Sequence, residues 1–220
     1  MKRVVIIDDH PMVASALADA LSSRKLAKAQ VISPKETHAA SLALEVEPDL
    51  CLLDIDLGSQ GQVGMTLLRR LQEAGLRVAM VTGSTDEVAL GQCIQLGAVG
   101  VVAKARPFTS VVDQIAMLLE GRQCNSDRDL LHWVLTAQAH DEKHKRLMRP
   151  FETLTERERI VLQHLVDGAV VHEIAELDFV HVTTIRSQVR SILTKLGVQS
   201  QLAAVAVARK AKWAPDQDAN

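Results

Sequence analysis

Aromatic side chains are scarce in this 220-residue chain: three Phe, two Trp and no Tyr, or 2% of the whole. That excludes the stacking platforms with which aromatic-rich proteins hold single-stranded bases. Cysteine is equally sparse. Cys51, Cys93 and Cys124 form an odd set without close spacing, which argues against a disulfide framework or a zinc site and for a cytoplasmic protein. No apolar run approaches the roughly 20 residues that span a bilayer, so no membrane partner is expected. The N-terminal MKRVVIIDDH holds a short apolar stretch that meets an acidic pair at once and lacks a small-residue cleavage site. It reads as a first strand, not as a signal peptide. Disorder is excluded by 47% apolar against 24% charged residues.

Charge is unevenly spread along the chain. Residues 181–212 carry Arg186, Arg190, Lys195, Arg209, Lys210 and Lys212 with no Asp or Glu, although the whole chain has a net charge of −2. Residues 1–120 hold 11 Lys+Arg against 14 Asp+Glu. A local excess of cations on a weakly acidic protein implies one face directed at a polyanion.

The first 120 residues alternate two patterns. Short Val, Leu and Ile runs at Val4–Ile7, Leu50–Leu53, Val78–Val81 and Val99–Ala103, with a weaker one at Ala29–Ile32, predict strands buried on both faces. Segments of helical period lie between and after them: Met12–Leu21, Pro34–Glu47 with Ser33 as N-cap, Val63–Ala74, Asp86–Leu96 and Thr109–Leu119. Gly75, Gly97 and Gly121 follow the last periodic residues, as glycines do just past helix ends. Five strand–helix repeats predict an open parallel sheet covered on both faces, an α/β doubly wound domain over 1–120. Periodicity weakens from 121 to 150, which reads as a partly helical linker. From Phe151 a capping box, Thr155–Glu158, opens an apolar stripe. A short helix His172–Leu177, a longer one Val182–Leu196 and a last one from about Ser200 to Lys212 follow. Four helices with a tightly joined middle pair predict an all-α helix-turn-helix domain over 151–213, with a frayed tail at 214–220.

Binding sites in open α/β sheets lie at the C-terminal ends of the strands. Asp8 and Asp9 end the first strand, Asp54 the third, Thr82 the fourth and Lys104 the fifth. Three carboxylates in one crevice call for a hard divalent cation with oxygen ligands, Mg²⁺. Lys104 adds a point charge for a phosphoryl group and Thr82 a hydroxyl. These are the parts for phosphoryl transfer onto a carboxylate, which needs no general base because the nucleophile is already deprotonated. In the second half, Thr183, Arg186, Ser187 and Arg190 share one helix face, suited to the major groove of double-stranded DNA.

VVIIDDHPMV, PDLCLLDIDLG, VAMVTGS and LGAVGVVAK resemble, in order, the receiver domain of two-component response regulators, a flavodoxin-like fold. The resemblance implies Asp54 as phosphoacceptor, Mg²⁺ held by Asp8, Asp9, Asp54 and the backbone carbonyl of Asp56, and Thr82 and Lys104 as the residues that bind the phosphoryl group. LTERERIVL, EIAE and TTIRSQVRSILTKLGVQSQLAAVAVAR resemble the LuxR-type output domain of the NarL/FixJ class, closest to actinobacterial members. This implies that Arg186 and Arg190 contact DNA, that Lys195 contacts its backbone and that the last helix pairs two subunits. The chain departs from the receiver pattern at Val101, where an aromatic is usual, at Ala105, where Pro is common, and at Gly58–Gly61, which lacks the usual Pro. In the output half, His181 stands where Ser or Thr usually caps the recognition helix, Val171 where Asn is common, Gln188 for a frequent His and Arg186 for a usual Lys.

The expected function is that of a transcription factor, not an enzyme. A sensor histidine kinase phosphorylates it on Asp54, and it binds DNA as a homodimer on activation. Two other readings remain open. An aspartyl-phosphate phosphatase would use Asp56 as its second acid, but the chain has no cap insertion for a substrate. A pseudo-receiver, controlled without phosphate, fits Val101. The eight His are scattered, and the i,i+4 pair His140/His144 reads as solvated rather than as a metal site.

Overall fold

In the first apolar run, Val5 and Ile7 face one side of a strand while Val4 and Ile6 face the other, and all four are buried. A strand apolar on both faces can be satisfied only inside a covered sheet. The computed structural model, which describes residues 1–34, 38–57 and 62–215, forms that sheet from β1 (Lys2–Ile7), β2 (Ala27–Ile32), β3 (Leu50–Leu53), β4 (Val78–Thr82) and β5 (Val101–Ala103). All pairings are parallel, in the order β2-β1-β3-β4-β5.

Helices α1 (Pro11–Ser23), α2 (Ala39–Val46), α3 (Gln62–Glu73) and α4 (Glu87–Gln95) make the crossovers, and α5 (Phe108–Leu119) follows the last strand. Val5, Ile7, Cys51, Leu53 and Met80 pack on one face with Ala43, Leu68, Leu71 and Leu90 from α2, α3 and α4. Val4, Ile6, Leu52 and Val81 pack on the other with Leu17, Leu21, Val112 and Ile115 from α1 and α5. The doubly wound fold expected from the pattern is present. Each fully buried Val, Leu or Ile side chain contributes roughly 1.5–3 kcal/mol.

One expectation is corrected. The second helix starts at Ala39, capped by His38 without a side-chain bond, and not at Pro34 behind a Ser33 cap. Its buried face is Ala39, Ala40 and Ala43. Residues 35–37 of the expected helix lie outside the described residues, as does the loop 58–61.

The stretch read as a partly helical linker is helical over most of its length. Residues 127–152 form one 26-residue helix, α6 (Asp127–Glu152). The chain divides into two compact units inside this helix, at Ala139/His140. Apolar period is weak there because one face at a time is covered. Trp133 packs against the core beside α4, Ala137 is fully buried, and Leu131 and Leu135 stay exposed. Farther along, Ala, Glu, Lys, Arg, Leu and Met carry the helix by propensity. Pro150, which lacks an N–H, falls in the last turn, and the helix stops at Glu152.

The first half of α6 belongs to the sheet domain. Asn125 donates from Nδ2 to Val101 O and accepts from Val101 N on Oδ1, both at 2.8 Å. Its amide therefore takes the place of a neighbouring strand on edge strand β5. A Cβ on Gly91 of α4 would come within 2.0 Å of Trp133 O, so only glycine permits this approach.

The second unit contains α7 (Glu156–Val166), α8 (Val171–Leu177), α9 (Val182–Leu196) and α10 (Gln201–Lys210). Ile185, Val189, Ile192 and Leu196 of α9 enter a core with Val161, Leu162, Ile174 and Ala204. Two of the scarce aromatics close this core: Phe151 and Trp213 stack with centroids 5.5 Å apart. From Asp216 the expected tail lies outside the described residues.

Candidate functional site

The sheet order reverses between β1 and β3, which leaves a crevice at their C-terminal ends. Asp54 N donates to Ile7 O at 3.0 Å, so the residue that ends β3 is anchored on β1. Lys104 N donates to Thr82 O at 2.8 Å, which anchors the end of β5 on β4. Glycine also supports this end of the sheet: a Cβ on Gly64 of α3 would lie 2.6 Å from Ile55 O and 2.9 Å from Asp54 O.

These anchors bring the expected side chains together. Asp8, Asp54 and Thr82 are buried, and Asp9 is partly buried. Lys104 Nζ lies 2.6 Å from Asp8 Oδ2 and 2.6 Å from Asp54 Oδ2. Thr82 Oγ1 donates to Asp56 Oδ2 at 3.2 Å and accepts from Ser84 N at 2.9 Å. Asp56 N donates to Asp54 Oδ1 at 3.2 Å.

Burial pushes the Asp54 carboxyl above its ordinary range, and the Lys104 ammonium only partly offsets this; the nearby Asp8 charge adds to the rise. Burial acts to lower Lys104, but hydrogen bonds and charges from Asp54 and Asp8 outweigh it and hold the ammonium above its usual value. Three carboxylates face this single Lys, which leaves negative charge for a divalent cation to balance. The donors are hard oxygens, as Mg²⁺ requires. The residues fit such an ion.

One side chain in the cluster was not foreseen. His10 Nδ1 lies 2.8 Å from Asp9 Oδ1, 3.3 Å from Asp8 Oδ1 and 3.9 Å from Asp54 Oδ2. Ligand atoms of Asp8, Asp9, His10 and Asp54 all lie within 4.8 Å of one another. The only signal in the sequence is its place directly after the acidic pair.

In the second unit, Thr183, Arg186, Ser187 and Arg190 are all exposed on α9. His181 caps this helix without a side-chain hydrogen bond. Lys195, expected at a DNA backbone, has a partner within its own domain. Its Nζ lies 2.6 Å from Oε2 of Glu158, a buried residue whose Oε1 accepts from Ser191 Oγ at 2.6 Å. Burial acts to raise the Glu158 carboxyl, but bonds from Lys195, Ser191 and Thr155 outweigh it and hold it down to about 2. Lys195 is thus tied into its own domain. Leu202 of α10 is 80% exposed, while Ala204 and Ala208 are buried.

Comparison with known proteins matches both units. Residues 4–116 match the model of the response regulator receiver domain. Residues 152–208 match the bacterial regulatory proteins of the luxR family. A nitrate/nitrite response regulator protein homolog of Haemophilus influenzae is 26% identical over 204 residues, covering 92% of this chain and 93% of the relative. The probable transcriptional regulatory protein NarL of Mycobacterium tuberculosis is 28% identical over 210 residues, covering 94% of each chain. Among solved structures, RcsB from Salmonella enterica serovar Typhimurium, bound to promoter rprA with the phosphomimetic BeF3⁻, matches 94% of this chain and 98% of its own. Its TM-score is 0.52 at 20% identity, a likeness of fold.

Proposed function

Because this chain belongs to the response regulators that join a receiver domain to a LuxR-type DNA-binding domain, we propose that Asp54 is its phosphoacceptor and that the exposed face of α9 reads DNA. The observation that carries the first part is the 2.6 Å pairing of Lys104 with both Asp8 and Asp54 at the strand ends.

A sensor histidine kinase supplies the phosphoryl group. An Asp54 oxygen attacks phosphorus, the bond from phosphorus to the donor imidazole nitrogen breaks, and the nitrogen keeps the electron pair. Asp8, Asp9, Asp54 and the backbone carbonyl of Asp56 hold Mg²⁺. The ion supplies charge neutralisation for the phosphoryl oxygens. Lys104 pairs with the new dianion, and Thr82 leaves Asp56 to donate its hydroxyl to it. The surface near β4 and β5 then shifts. Asn125 sits on β5 at Val101, and α6 follows it directly, so the change reaches the helix that continues into the second unit.

The output is a homodimer on two half-sites about one helical turn apart. Thr183, Arg186, Ser187 and Arg190 face the groove, with binding that weakens as salt rises. A response regulator of this build works in the cytoplasm, and it has no substrate to turn over.

Val101, buried in the core at the position where receivers usually carry an aromatic, favours one second reading, a pseudo-receiver. Intact mass after incubation with Mg²⁺ and acetyl phosphate separates the two. One phosphoryl group gained by the wild type and not by Asp54→Asn supports the phosphoacceptor. No gain with acetyl phosphate or a phosphorylated kinase, together with unchanged DNA binding in Asp54→Asn, selects the pseudo-receiver.

A further inference from the structure

His10 turns its Nδ1 into the carboxylate cluster although 63% of its side chain is exposed. It is the N-terminal neighbour of α1, yet makes no side-chain cap bond to that helix. Its inward placement is therefore not explained by helix capping. Its backbone N donates to Asp8 Oδ1 at 2.8 Å, which fixes the chain so that the ring reaches back over the acidic pair.

The two cationic or polar partners of the cluster divide it. Lys104 takes Asp8 Oδ2 and Asp54 Oδ2. His10 takes Asp8 Oδ1 and Asp9 Oδ1 and is farther from Asp54. The position of the His10 nitrogen is thus the one that an ion shared by Asp8 and Asp9 would face. Carboxylates only accept, so without an ion Nδ1 is the donor to Asp8 and Asp9; an ion at that position takes the nitrogen lone pair in place of the proton, which Nε2 can carry instead.

Ligand chemistry then separates the candidate ions. Mg²⁺ takes oxygen ligands and keeps water in its remaining positions. Borderline first-row ions bind imidazole as well as carboxylate. Resting on the acidic-site reading above, we propose that His10 is a further ligand, beside Asp8, Asp9, Asp54 and the Asp56 carbonyl, that gives this site a preference for a first-row transition-metal ion over Mg²⁺. Asp8, Asp9 and Asp54 supply oxygens common to both ions, and His10 supplies the nitrogen that only the transition ion uses.

The test is calorimetric titration of the full chain with Co²⁺ and, separately, with Mg²⁺, in wild type, His10→Ala and Asp9→Asn. The visible absorption of bound Co²⁺ gives a second readout, sensitive to nitrogen ligation. Circular dichroism checks folding, which an exposed side chain without a cap bond leaves intact. His10→Ala is expected to weaken Co²⁺ about tenfold or more and Mg²⁺ less than about threefold, with a changed Co²⁺ spectrum. Asp9→Asn is expected to weaken both ions, which places the Co²⁺ at this cluster and not on other histidines. Equal effects on the two ions, or no effect on Co²⁺, overturn the role of His10. If wild type binds neither ion at this cluster, the acidic-site reading itself fails.

Discussion

Thr82 gives its hydroxyl to Asp56, with Oγ1 3.2 Å from Oδ2, so the group proposed to engage the phosphoryl oxygens is held by the carboxylate two residues past the proposed acceptor. Thr82 must release Asp56 to reach a phosphoryl group on Asp54. Asp56 is exposed, so the bond contributes about 0.5–1 kcal/mol. Asp56→Ala keeps the backbone carbonyl and removes the competitor. It should raise the phosphorylated fraction at a fixed, subsaturating acetyl phosphate concentration by about two- to fivefold. Phosphate-affinity electrophoresis measures that fraction. An unchanged or lower fraction would show that Asp56 does not restrain Thr82.

Strand ends were legible because each short apolar run stops at a polar residue, and parallel topology brings those ends together. Asp8, Asp54, Thr82 and Lys104 needed nothing more than this. Groups whose roles depend on long-range partners were not legible. Lys195 looks like one more cation of a basic stretch until its partner Glu158, 37 residues earlier, is seen beside it. His10 follows the acidic pair, but only its backbone bond to Asp8 turns the ring inward. The helix over 127–152 escaped an apolar-periodicity reading because its cover differs from one turn to the next. Pro34 also misled, since a proline that suits a first helical turn suits an ordinary turn equally well.

The close approach of α4 and α6 predicts the effect of a single methyl group. A Cβ on Gly91 meets Trp133 O at 2.0 Å and Ala137 Cβ at 2.8 Å. The first contact is with backbone, which a rotamer change cannot relieve. Alanine gains about 1 kcal/mol of helix propensity over glycine, but overpacking costs about 1–3 kcal/mol. Gly91→Ala should therefore be neutral to destabilising and should loosen the first half of α6. Hydrogen exchange over residues 127–139 should rise while exchange in β1 and β3 stays low. Unchanged protection of that segment would contradict the close packing.

Glu158 predicts a pH dependence of the second unit. Its carboxyl is held at about 2 against an ordinary 4.5. The folded state thus binds its proton less readily than the unfolded chain. The resulting stability is fully present above about pH 4.5 and is lost as pH falls towards 2. A shift of this size corresponds to something on the order of 3 kcal/mol. Urea unfolding followed through Trp213 should show the loss across that window in wild type. Glu158→Gln should be less stable at pH 7 by roughly 2–4 kcal/mol, because it leaves Lys195 without its partner, and its stability should vary less between pH 5 and 3. Lys195→Met tests the pairing from the other side. If DNA affinity per folded molecule survives in that variant, Lys195 acts as a brace and not as a phosphate contact.

Arg186 and Arg190 stand one turn apart on the exposed face of α9, and among the described residues neither side chain is held by an ion pair of the kind that ties Lys195 to Glu158. Each is available to a phosphate or a base edge. Replacement by alanine leaves the buried face of Ile185, Val189 and Ile192 untouched, so folding should be preserved. A lost phosphate contact lowers affinity across all sequences and reduces the slope of log K against log salt by about 1. A lost base contact costs about 1–3 kcal/mol on the cognate site alone and relaxes its sequence preference. Fluorescence anisotropy with cognate and scrambled duplexes, repeated at several salt concentrations, assigns each arginine to one of these roles. Wild-type affinity and slope in both variants would remove α9 from the DNA interface.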